Sequence, residues 1–201
     1  ILPGTSKAVL TLANGQMIPL GKEAADSTII TDGTQINASG SGVTYASGGE
    51  SESIVYNKLE IPRGGEFCLT LSDGTRVWLN SETSIQYPVA FGAKERRVFV
   101  QGEAYFEVAK DAKKPFTVQF MSSSVTVLGT SFNIRAYPEE KQSQATLAEG
   151  SVRIYSPGSS MLLKPGEQAE VNALSGEMVK REVEVKSFTS WKDGRFVFEQ
   201  Q

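Results

Sequence analysis

Leu69-Thr70-Leu71-Ser72-Asp73-Gly74-Thr75-Arg76-Val77-Trp78-Leu79 alternates apolar and polar residues on both sides of an Asp-Gly pair. That is the pattern of two half-buried strands joined by a tight turn, in which glycine supplies the positive φ. The same layout stands at Leu10 to Leu20 around Asn14-Gly15, and a looser echo runs from Thr146 to Ile154 around Glu149-Gly150. Period-two alternation recurs around Thr126 (Val125, Val127) and Asn133 (Phe132, Ile134), and turn dipeptides follow at Asp32-Gly33, Gln101-Gly102 and Pro165-Gly166. No stretch holds apolar residues at helical spacing over three turns, and Gly21 to Ala25 is too short to propagate alone. The fold class is therefore all-β, with stacked short antiparallel strands and hairpins, a solenoid-like roll or β-sandwich, and essentially no helix.

The chain has 201 residues, with 20 Lys and Arg against 23 Asp and Glu, 39% hydrophobic and 21% charged residues, the usage of a packed globular protein. The absence of histidine removes the usual general base, the Ser-His and Cys-His nucleophile pairs and the commonest zinc ligand. Cys68, the only cysteine, forbids an intrachain disulfide and any multi-cysteine metal cluster, and its apolar setting reads as core. A pI near 5.2 argues against a nucleic-acid surface. Lys94-Glu95-Arg96-Arg97 and Lys110 to Lys114 read as solvated turns.

Gly33 to Gly49 is uncharged and rich in glycine, serine and asparagine, so it reads as a loop joining two β segments, with only Val43-Thr44-Tyr45 strand-like. The expected organisation is an N-terminal β extension over 1–57, a β domain over 58–186, and a linker with the first strand of a truncated C-terminal domain over 187–201. The uncharged run from Pro115 to Ile134 is long enough for a membrane span, but its polar serines and Asn133 mark strand, turn, strand. A start at Ile1 without signal peptide or anchor suggests a piece of something longer. Glu182 to Val185 alternates like an exposed edge strand, and Val183, Val185, Trp191, Phe196 and Phe198 are the candidate partner-binding residues.

Catalytic and ligand sites are expected to be absent, with no cofactor and no metal. Glu103 and Glu107 share a strand face with Tyr105, but i and i+4 Cα atoms lie roughly 13 Å apart, too far for a glycosidase carboxylate pair unless the side chains lean together. An outward-facing solvated strand is the expected reading. No lysine spacing near Gly129-Thr130-Ser131 identifies a base for a serine, Gly40-Ser41-Gly42 and Gly64-Gly65 are too sparse for a phosphate loop, and Asp26, Asp32, Glu139 and Glu140 lack calcium-loop spacing. Trp78 is expected to pack half-buried, with sugar stacking or protein binding as its rival role.

The run Leu69 to Ser81 with Ile85-Gln-Tyr87-Pro88, then Val100 to Val108, Pro115-Phe116, Val127 to Tyr137, Leu147 to Val152 and Leu163 to Ala169, resembles the FecR family domain of bacterial anti-sigma factors in content and order. It extends from about Leu59 to Trp191, and Ile61 to Gly65 resembles the extension common in the Bacteroidetes branch. The resemblance implies the periplasmic part of a single-pass inner-membrane regulator that receives a signal from a TonB-dependent outer-membrane transporter. Through an absent cytoplasmic region such a regulator controls an extracytoplasmic-function sigma factor. Within it Asp73, Gly74, Trp78, Leu79, Asn80, Gly102, Glu103, Phe106, Gly129, Thr130, Phe132, Gly150, Pro165 and Gly166 read as structural motif residues. A carbohydrate-binding β-sandwich module or glycosidase is the rival, and an envelope domain without a switching role a third reading.

Overall fold

The structure, a computed structural model, describes residues 4–21, 27–31, 34–40, 42–46 and 54–193. In chain order its strands are β1 (Thr5–Thr11), β2 (Met17–Gly21), β3 (Ser27–Thr31), β4 (Thr34–Ala38), β5 (Gly42–Tyr45), β6 (Tyr56–Glu60), β7 (Gly65–Thr70), β8 (Arg76–Leu79) and β9 (Ser84–Pro88). They continue with β10 (Arg96–Glu107), β11 (Phe116–Phe120), β12 (Ser123–Val127), β13 (Ser131–Ala136), β14 (Gln142–Glu149), β15 (Val152–Ser156), β16 (Ser159–Leu163), β17 (Glu167–Asn172) and β18 (Met178–Glu182). One short helix, α1 (Val185–Thr189), and a 3-10 turn, Ser190–Asp193, follow. The fold is all-β.

The two repeated stretches form the same device. In the β1–β2 hairpin the Leu12 and Gly15 amides donate to the Gln16 and Leu12 carbonyls at 2.9 Å; in β7–β8 the Leu71 and Gly74 amides donate to Thr75 and Leu71 at 2.9 Å. Leucines at matching positions, Leu10 and Leu69, are fully buried.

The strands build two layers. The first runs β2-β1-β6-β9-β10-β11-β12-β15-β16. The second runs β3-β4-β5-β7-β8-β10-β13-β14-β17-β18. Two strands serve both. Thr5 and Ser6 of β1 pair parallel with β7, while Lys7 to Thr11 pair with β2. The twelve-residue β10 pairs parallel with β11 at Arg96 to Phe99, then joins β13 and β8 with its C-terminal half. Its passage into the second layer supplies the length that a parallel return to β11 requires.

Arg96, Val98, Val100, Ala104 and Phe106 of β10 all face the space between the layers and are buried. Phe106 stacks on Phe132 at 5.1 Å between ring centres and meets Phe116 of the first layer at 6.1 Å. One apolar cluster extends from Ala8 to Val171 through this space.

Several expectations are corrected. Gln101-Gly102 is no turn: Gly102 lies inside β10 with φ 103°, where a Cβ would come within 2.5 Å of Thr83 Oγ1 and 2.7 Å of its Cα. Only glycine allows the strand to bend there against Thr83. The polar stretch after Gly33 is not mainly loop, because Thr34–Ala38 is a strand in which Ile36 pairs with Ile29. Asp32-Gly33 and residues 22–25 lie outside the described residues. Arg96 is not solvated: it sits in the inward register of Val98 and Val100 and is 2% exposed. Glu182 ends β18 rather than opening an edge strand, Val185 begins α1, and Trp191 lies in the 3-10 turn instead of a strand.

Replacing Gly102 by Ala combines strain at positive φ with overpacking, an expected loss of roughly 2 to 5 kcal/mol. Gly15→Ala, where φ is 85° and no atom lies within 4 Å, is expected to lose only about 1 to 2 kcal/mol. Urea unfolding of both variants checks this, and equal losses would refute the bend at Gly102.

Candidate functional site

Because side chains alternate along a strand, the residues of β10 between the inward ones must emerge on the outer face of the second layer. Pairing aligns them with neighbours into one row: Cys68, Trp78, Tyr105, Asn133, Thr146, Gln168 and Arg181, each from a successive strand from β7 to β18. Gln168, fully buried, donates from Nε2 to Thr146 Oγ1 at 2.7 Å and accepts from Arg181 Nη2 at 2.8 Å. Trp78 and Tyr105 meet edge-to-face at 5.9 Å.

The next row holds Glu103. Its carboxylate accepts from Asn133 Nδ2 at 3.0 Å, Asn80 Nδ2 at 2.9 Å and Arg135 Nη1 at 3.3 Å. Arg135 in turn forks onto Glu140. Glu103 is thus buried, not solvated as expected, because the amides of Asn80, just past β8, and Asn133 of β13 flank it. Burial outweighs these donors and pushes its carboxyl above the ordinary 4.5. Burial likewise lifts the Tyr137 phenol, which donates to Ser81 O at 2.9 Å, up to about 12.

Glu107, in contrast, ion-pairs with Arg76 at 3.5 Å and lines an open cleft of about 400 Å³ whose walls do not include Glu103. The two carboxylates have different surroundings. Cys68 is half-buried on the outer face rather than in the core, since Phe67 and Leu69 take the inward positions. Burial raises its thiol, partly offset by Arg76 from β8, so it is not an activated nucleophile.

The C-terminal segment covers this face. Trp191 Nε1 donates to Asn133 Oδ1 at 3.2 Å, and Lys192 Nζ sits 5.5 Å from the Trp78 ring and 5.2 Å from the Tyr105 ring. Arg76 lies over Trp78 at 4.5 Å. Trp191 is therefore engaged within the chain. Val183 and Val185 are half-buried, the Val183 amide donating to Gly166 O at 2.9 Å, and Phe196 and Phe198 lie outside the described residues.

A second polar cluster closes the far end. Asp73 accepts from Thr75 N at 2.9 Å, Thr75 Oγ1 at 2.7 Å and Arg96 Nη1 at 2.8 Å, while Arg96 also donates to Ala109 O and Lys114 O at 2.7 and 2.9 Å. The Asp73-Gly74 turn is thereby tied to the loop that returns β10 to β11. Gly129, Thr130 and Gly150 stand at the same end, lining an open cleft of about 640 Å³ with Lys110, Arg153 and Leu162. Leu79, Phe106 and Phe132 are core, and the Gly166 amide donates to Leu147 O at 3.0 Å in the turn that Pro165 opens.

Arg96, Asn133, Gln168 and Lys192 carry much of this geometry and were not singled out by sequence reasoning. For Arg96 the alternation with Val98 and Val100 carried the signal; for Asn133 it was a polar residue between Phe132 and Ile134. Among the described residues no group of three or more His, Cys, Asp or Glu side chains could hold a metal, and no helix is long and apolar enough to cross a membrane.

The family model described as FecR protein matches residues 57–153. Two crystal structures described as an anti-sigma factor from Parabacteroides distasonis, at 2.50 and 1.65 Å resolution, are similar to this chain at 38% identity, with TM-scores of 0.66 and 0.65. The similarity covers 68% and 67% of this chain, which spans 64% and 63% of theirs. No curated protein matches.

Because the folded chain holds the Glu103 proton more tightly than the unfolded chain, the stability this group confers is fully present below its ordinary pKa of 4.5. It is lost as pH rises through the higher folded value. Urea unfolding from pH 4 to 8 is expected to show stability falling across that window relative to Glu103→Gln, which cannot titrate. Parallel pH curves would overturn the assignment of Glu103 as the buried titrating carboxyl.

Proposed function

We propose, because the chain belongs to the FecR family, that it is a non-enzymatic signal-relay domain of a transmembrane anti-sigma factor. In this reading it is the periplasmic part of a single-pass inner-membrane protein. It receives a signal from a TonB-dependent outer-membrane transporter and controls an extracytoplasmic-function sigma factor through a cytoplasmic region. Residues 58–186 are the FecR-like domain, 1–57 its N-terminal β extension, and 187–201 the linker toward a further C-terminal domain.

The observation that carries the reading is the 38% identity, over about two thirds of the chain, with structures described as an anti-sigma factor. The site geometry supports it. Glu103 is locked by amides and a guanidinium, Glu107 pairs with Arg76 further along the same face, and Trp78 and Tyr105 are covered from within the chain. Such a surface suits protein contact better than turnover. The edge strand β18 carries Lys180, Arg181 and Glu182, charges that guard a sheet edge against unspecific pairing, so recognition there needs a complementary partner.

Calorimetric titration with the periplasmic signalling domain of the transporter encoded beside it is expected to give saturable 1:1 binding. Deletion of 182–201, which contains Val183, Val185, Trp191, Phe196 and Phe198, is expected to abolish it. Unchanged binding after the deletion would move the interface elsewhere. Absent binding, with glycan binding lost in Trp78→Ala, would assign the domain to carbohydrate instead.

A further inference from the structure

We infer that the outer face of the second layer carries a receptor for an aromatic residue followed by a basic one. Residues 185–193 fill it in cis as a releasable strap, and a partner segment of the same chemistry takes their place. The segment that takes the strap's place is defined by its chemistry alone, and neither the receptor nor the strap rests on the function proposed above.

The receptor stands on rigid elements. Trp78, Tyr105 and Asn133 lie side by side on β8, β10 and β13, in register. Asn133 donates from Nδ2 to Glu103, which fixes the amide so that Oδ1 faces the strap as an acceptor. With the strap docked that residue is 3% exposed, and when the indole leaves, its acceptor is open to water or to another N–H donor. The edge-to-face rings beside it present two negative faces to one cation, and Lys192 fills that position with its side chain 18% exposed.

The strap itself is weakly held. A five-residue helix does not sustain itself without tertiary support, α1 has no side-chain cap at its N-terminus, and Thr189 is the residue of α1 and the 3-10 turn that is buried. Between the strap and the sheet, bounded by Trp191, Lys192, Trp78, Cys68 and Glu66, remains a gap of about 190 Å³. Core packing leaves no such space, so beneath Trp191 and Lys192 the strap does not rest on a filled interface. Segments with few buried apolar contacts open as local units far below the global unfolding free energy. Undocked and extended, these nine residues give the chain beyond Asp193 roughly 30 Å of reach. Docking and partner binding are then alternatives at one site, and the swap changes the tether.

The test uses the full chain with Trp191→Ala and Lys192→Ala, and a labelled, blocked peptide of residues 186–193 as probe. A short link gives the cis strap an effective concentration in the millimolar range, so the probe is titrated up to about that level. Anisotropy is expected to show saturable binding to the double variant. Binding to the unsubstituted chain, whose receptor is filled, is expected to be about tenfold weaker or more. Adding Trp78→Ala to the chain, or exchanging the probe's Lys192 for glutamate, is expected to remove it.

Equal binding to both chains, no binding to a folded double variant, or failure of that variant to fold would each overturn the strap. Hydrogen exchange on the unsubstituted chain gives a second reading. Amides of 185–193 are expected to exchange together, about a hundredfold faster than those of β13, and exchange only at the global rate would refute release. None of these measurements involves the transporter, so their failure leaves the proposed relay standing, and a failed titration leaves the strap standing.

Discussion

A single strand that must serve two layers sets the terms for this molecule. Because β10 keeps its alternation through the bend at Gly102, Arg96, Val98, Val100, Ala104 and Phe106 all point into the space between the layers. Glu103, Tyr105 and Glu107 are thereby committed to the outer face. The bend works only where Thr83 can lie against a residue without a side chain. From it follow the parallel return to β11, the Phe106 contacts that join the layers, and the placement of the polar row.

Two clusters of polar side chains then convert a stack of hairpins into one object. At one end the Asp73 turn, the start of β10 and the loop before β11 converge on the Arg96 guanidinium. At the other, Glu103 gathers amides from Asn80 and Asn133 and the Arg135 guanidinium. A buried ion gains little stability over a well-packed apolar group, but losing one partner leaves a charge stranded, so each cluster enforces the register of several elements at once. In both clusters the functional value is geometric. The carboxylates are held, and what they hold is the orientation of a neighbour, such as the Asn133 amide.

The outer face carries a row of side chains from seven strands, two rings and two amides among them, and the chain's own C-terminal segment already lies on it. A surface satisfied in cis differs from an exposed aromatic patch: it does not aggregate, and it exchanges one occupant for another of like chemistry.

Alternation along the chain and the Asp-Gly and Asn-Gly pairs were enough to determine an all-β fold and the matching hairpins at Leu10 to Leu20 and Leu69 to Leu79, because period and turn geometry are local properties. Ordered motifs from Leu59 onward carried the resemblance to the FecR family. Local pattern could not separate a turn from a bend at Gln101-Gly102, since glycine permits both and only Thr83, far along the chain, decides. Nor could it show that Arg96 is buried, that Glu103 is walled in by amides, or that Trp191 folds back onto Asn133 rather than awaiting a partner. Those outcomes depend on which strands become neighbours, and a polar side chain is buried or solvated according to the partners that tertiary pairing brings within hydrogen-bonding distance.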